Sequence, residues 1–115
     1  MRIAVTSQNF RTITGHAGKT RRFIVYESQA DGSINELERL DMSKAMSLHE
    51  FRGSEHPLFQ FDAVITASCG EGFVRRLAGH GVKVVATSEN DPALAAKTLA
   101  SGQALPAPLP HVHKQ

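Results

Sequence analysis

The chain has 115 residues, enough for one domain, and its 41% hydrophobic content can fill a core. A net charge of only +2 speaks against nucleic-acid binding, and a single cysteine excludes an internal disulfide. No apolar run approaches the roughly 20 residues of a membrane span. The first residues lead straight into a strand without a signal-peptide pattern, so the expected location is the cytoplasm.

Ile3, Ala4 and Val5 read as a strand buried on both faces. Residues 7–19 form a polar, Gly-containing loop, long for a connection in a compact domain, and such loops often carry function. Residues 22–27 are a second strand, and the turn with Asp31-Gly32 at its centre predicts a hairpin. The third strand, residues 34–40, is polar enough for a sheet edge. Ser43 is placed to cap a short helix through Phe51, with Ala45, Met46 and Leu48 facing inward. Pro57 stops any helix before it.

Ala63, Val64 and Ile65 make a fourth, buried strand, and Phe73 and Leu77 then switch to helical spacing. Gly79, His80 and Gly81 close that helix, and residues 82–86 are the last strand. Asp91 and Pro92 form an N-cap followed by an N1 proline, and the alanine-rich helix they open ends at Gly102. The expected domain is residues 1–102. Residues 103–115, with Pro106, Pro108, Pro110, His111 and His113, form a flexible tail. The order β-β-β-α-β-α-β-α predicts an α/β fold. Three strands form an antiparallel meander, and two more are added in parallel through the helix after Cys69.

The only cysteine lies in Ser68-Cys69-Gly70-Glu71-Gly72, on a Gly-rich turn between a predicted strand and helix. Ligands gather at the carboxyl ends of strands in open α/β sheets. Helix N-terminal N–H groups favour anions there and lower a thiol's pKa.

Four segments together resemble the dinitrogenase iron–molybdenum cofactor biosynthesis family, which includes NifX-type and NafY-type carriers and the C-terminal domain of NifB-type proteins. They are the opening Met1 to Ser7; Gly15-His16-Ala17-Gly18 with the strand after it; Phe61 to Ile65 with Cys69 to Gly72; and Gly81 to Thr87 with Asp91-Pro92. Ala17 stands where the family often has Phe, and Cys69 where many members have Met. The resemblance implies a ribonuclease H-like fold with a five-stranded mixed sheet. It also implies a non-enzymatic carrier of an iron–sulfur or iron–molybdenum cluster, with nitrogenase or cofactor-assembly proteins as partners. A nuclease reading is poor, because the first strand has no carboxylate to hold paired cations and Asp62 lies at the wrong end of its strand.

If the first and fourth strands are parallel neighbours, His16 and Cys69 emerge at the same sheet edge. Thiolate with imidazole suits such clusters. Cys69 and His16 are therefore the expected metal ligands, and Gly18, Gly70 and Gly72 further cofactor contacts. Arg11, Lys19 or Arg21 would assist with an anionic cargo. Two protein ligands leave positions open, which suits transient carriage and leaves room for a cluster shared across a homodimer. His49 and His56 flank a loop able to fold over the same edge, but a solvated surface role is expected for both. His80 is expected at a helix C-terminus, and Arg75 and Arg76 on a solvated helix face. A competing enzyme reading takes Cys69-x5-Arg75 as the signature of a cysteine-dependent phosphatase or arsenate reductase. Glu71 inside the would-be phosphate loop weighs against it. A metal-free interaction module is a third reading.

Overall fold

The computed structural model describes residues 1–109. Strand β1 (Arg2–Thr6) lies at the centre of a five-stranded sheet of order β3-β2-β1-β4-β5. Strands β2 (Arg22–Ser28) and β3 (Ile34–Asp41) extend it antiparallel on one side. Strands β4 (Ala63–Thr66) and β5 (Lys83–Ala86) extend it in parallel on the other. This is the expected five-stranded mixed sheet, a meander plus two parallel strands. Gly32 takes φ +88° in the hairpin turn, a conformation that favours glycine.

Both faces of the sheet are covered, which is why β1 and β4 are continuous apolar runs instead of alternating ones. Ile3, Val5, Ile24, Tyr26 and Ile65 point to one face and pack on Ala95 and Ala96 of helix α2 (Pro92–Ala100). Ala4, Phe23 and Val64 point to the other and pack on Phe73 and Leu77 of helix α1 (Glu71–Ala78). Leu48 and Leu58 complete that second core. The α2 cap is as expected: Asp91 Oδ1 accepts from the N–H groups of Ala93 (3.0 Å) and Leu94 (3.2 Å). Asp91→Ala is expected to cost about 1 kcal/mol, read as a lower urea midpoint at unchanged slope.

The expected helix over residues 43–51 does not form. Only a single 3-10 turn, Lys44–Met46, is present, and the Ser43 hydroxyl caps nothing. Leu48 is buried as expected, but Ala45 is exposed and Met46 only half-buried. The backbone turns extended at Ser47, whose hydroxyl donates to Lys44 O at 3.0 Å. Side chains from elsewhere then occupy the carbonyls of Met46, Leu48 and Phe51. Such competition for carbonyls disfavours a helix.

Arg76 and His56 also depart from expectation. Arg76 is not a solvated residue: it is half-buried and donates to Leu48 O and Phe51 O, each at 2.7 Å. His56 is not at the surface but 2% exposed. Its Nδ1 accepts from Leu58 N–H at 3.1 Å and opens a 3-10 turn (Pro57–Gln60). Nε2 therefore carries the proton and donates to Met46 O at 2.6 Å. His80 does follow α1, but it is also stacked on Phe59, with ring centroids 3.7 Å apart.

Burial, helped by the nearby Arg76 charge, holds the His56 pKa below its ordinary value of 6.5, against the raising effect of its bond to Met46. A second proton would also turn Nδ1 from acceptor to donor against Leu58 N–H. The stabilisation from neutral His56 is thus fully present above pH 6.5 and is lost as the pH falls through the lower folded-state value. Wild type is expected to lose more stability than His56→Gln between pH 7.5 and 5, compared by urea unfolding at each pH.

After α2 the chain turns back towards the sheet. Leu105 packs against the first core, Thr87 Oγ1 donates to Pro106 O (2.7 Å) and Ser88 N–H to Ala107 O (3.2 Å). His111 and His113 lie outside the described residues.

Candidate cofactor site

The parallel register of β1 and β4 sets Val5 against Ile65, so the two strands end side by side at Thr6 and Thr66. Their buried hydroxyls lie 2.9 Å apart. The loop after β1 is tied to both strands: Thr14 N–H donates to Thr6 O (3.0 Å) and Ala67 N–H to Thr14 O (3.1 Å). Ser68 makes the next connection. Its hydroxyl accepts from His16 N–H at 2.9 Å and its carbonyl from Ala17 N–H at 3.1 Å. Glycine suits position 15 at this approach, because a Cβ there would clash with Ser68 Oγ as the hydroxyl now stands. His16 itself holds φ 55°, a left-handed conformation that costs a non-glycine residue roughly 1–2 kcal/mol. Backbone strain of this kind gathers at functional sites.

The result is an open cavity of about 540 Å³ lined by His16, Ala17, Gly18, Lys19, His49, Ser68, Cys69 and Gly70. Four of the five residues expected at the site, His16, Gly18, Cys69 and Gly70, therefore share one wall. Gly72 lines an adjoining cavity with Gly18, Gly70, His49 and Arg76. Of the cations expected to assist, Lys19 lines the main cavity, Arg21 lines a neighbouring one with Lys19 and Lys44, and Arg11 is not among the lining residues. Gly70 is the N-cap of α1 and no side chain caps that end, so the first-turn N–H groups remain open to an anion.

The thiol departs from expectation in one respect. Cys69 is half-buried, and burial pushes its pKa up. Among the described residues, no group of three or more His, Cys, Asp or Glu side chains stands close enough to hold a single metal ion. His16 and Cys69 are two donors facing a volume much larger than one ion.

The family model for the dinitrogenase iron–molybdenum cofactor matches residues 1–102. The chain belongs to the dinitrogenase iron–molybdenum cofactor family. Membership places it with the proteins of nitrogenase iron–molybdenum cofactor biosynthesis. Two solved structures share the fold of this family member. The crystal structure of PH0822 is 18% identical with a TM-score of 0.68, over 90% of this chain and 93% of that one. The NMR structure of a candidate NifB protein from Thermotoga, which belongs to the DUF35 family, is 17% identical with a TM-score of 0.61. That match covers 99% of this chain and 98% of the Thermotoga chain. No curated protein sequence matches the chain. No helix among the described residues is long and apolar enough to cross a membrane.

One residue of the site was not singled out from the sequence. Ser68 fastens the His16 loop to the Cys69 turn, and a serine beside a cysteine carries no signal of that role. His49 is exposed as expected, and its loop does fold over this edge, so that it lines the cavity. Its placement depends on residues distant in the chain.

Proposed function

We propose that this family member carries an iron–sulfur or iron–molybdenum cluster in transit, held between the His16 loop and the Cys69 turn. The observation that carries this reading is the shared cavity: one thiol and one imidazole, 53 positions apart in the chain, line a single open volume. Cys69 and His16 supply the metal donors, a soft and a borderline ligand suited to iron clusters. The open N–H groups at Gly70 and beyond, with Lys19, offset the negative charge of the cargo. The thiol would lose its proton on binding, as coordinating thiols do. Two donors and an open rim favour release as much as capture. The recipients are nitrogenase or cofactor-assembly proteins of the cytoplasm, and no bond of the cargo need be made or broken by the protein.

The phosphatase reading loses its arginine. The Arg75 side chain is 76% exposed and lies 3.7 Å from the Glu71 carboxylate, and it does not line the Cys69 cavity. A phosphate loop needs that guanidinium turned inward on the anion.

An anaerobic titration of the full chain with iron and sulfide, and with a preformed nitrogenase cofactor precursor, tests the proposal. A Cys69-dependent charge-transfer band at a defined metal-to-chain ratio is expected. Absence of retained metal from both titrations would leave a metal-free interaction module as the better reading.

A further inference from the structure

The segment between β3 and β4 reaches the cavity through His49, and its irregular backbone is held by side-chain and loop contacts. His49 N–H donates to Gly18 O at 2.7 Å, which fastens this segment to the His16 loop. Arg76 reaches across from α1 with Nη1 on Leu48 O and Nη2 on Phe51 O, both at 2.7 Å. These carbonyls flank His49. The guanidinium carbon also lies 5.9 Å from the Phe51 ring centre and 5.8 Å from that of Phe59, within cation–π range. On the N-terminal side, His56 Nε2 holds Met46 O at 2.6 Å.

This is much fixed polar contact for a segment whose regular structure is two short 3-10 turns. The residue it brackets is His49, whose side chain is 61% exposed with the Glu50 carboxylate 3.8 Å away. His49 lines both the main cavity and the adjoining one with Gly70 and Gly72. We infer that His49 is a third protein donor to the cargo and that Arg76 is the residue that positions it. This rests on the carrier reading. A cluster several atoms across can be met by donors too far apart to share one ion, which fits a cavity of about 540 Å³ without a single-ion constellation among the described residues. The planar fork of Arg76 bridges two carbonyls at once, and a lysine cannot reproduce that.

The test compares wild type, His49→Ala, Arg76→Lys and the double variant, all as the full chain reconstituted anaerobically with iron and sulfide. The readout is the rate of iron release to a chelator. His49→Ala is expected to release iron about tenfold faster than wild type. Arg76→Lys is expected to release it several-fold faster, and the double variant no faster than His49→Ala alone. In the cargo-free protein, Arg76→Lys should also speed hydrogen exchange at the His49 amide. Should Arg76→Lys fail to fold by circular dichroism, Arg76→Gln takes its place.

Unchanged release from His49→Ala, while wild type holds cargo, overturns the donor role and leaves the carrier reading standing. Additive effects in the double variant, or an unchanged His49 amide, overturn the positioning role of Arg76. A wild type that holds no cargo removes both the carrier reading and this inference.

Discussion

Cys69→Ala and His16→Asn, each made alone, are expected to lower retention of an anaerobically loaded cluster by more than about tenfold. Losing an outer partner of a metal ligand commonly costs 10–100-fold, so losing one of few direct donors should cost at least that. The choice of substitutions matters. Cys69 packs at the margin of the second core, and removing one half-buried sulfur should change stability by no more than about 1 kcal/mol. His16 sits at φ 55°, where asparagine is tolerated and alanine adds strain. Asparagine therefore removes the imidazole while keeping the turn and the His16 N–H bond to Ser68 Oγ. Chelator-release rates and metal content, measured beside urea midpoints, separate loss of a ligand from loss of fold. Retention unchanged in both variants would show that the cargo is held elsewhere.

Gly15→Ala is expected to cost about 1–3 kcal/mol, the usual range for forcing a methyl group into a filled space. The new Cβ would meet Ser68 Oγ at 2.4 Å, so the hydroxyl must rotate or the loop must lift. Either movement breaks the bond from His16 N–H to Ser68 Oγ. Cluster retention should then fall although neither ligand has been changed. Ser68→Ala removes the clashing oxygen and leaves its Cβ at 3.5 Å from the new methyl, an ordinary contact. The double variant should therefore be more stable than the sum of the two single effects implies, read as non-additivity of urea unfolding free energies.

The fold was legible because its signals are local and strong. The apolar runs at Ile3 to Val5 and Ala63 to Ile65, the Asp31-Gly32 turn and the Asp91-Pro92 cap each specify an element by mechanism, and the structure keeps all of them. The parallel pairing of β1 and β4 carried the meeting of the His16 and Cys69 loops. What could not be read locally are elements fixed by distant partners. The residues after Ser43 have a helical pattern, yet His56 and Arg76 occupy the carbonyls a helix would use. His56 looked solvated because burial is decided by Phe51 and Phe59 packing around it, at ring distances of 4.8 and 5.5 Å. The Cys69 thiol illustrates an effect that depends on packing. Burial against the second core raises its pKa, and that burial is not written in the Gly-rich turn itself.

The most direct test of a cargo held between the two loops is a map of amide resonances before and after anaerobic loading. A paramagnetic cluster broadens signals steeply with distance. Loss of the amides around residues 15–19 and 68–72 is expected, with His49 next, while Asp31, Gly32 and the amides of α2 persist. Broadening centred on another face, or none at an established metal-to-chain ratio, would contradict it.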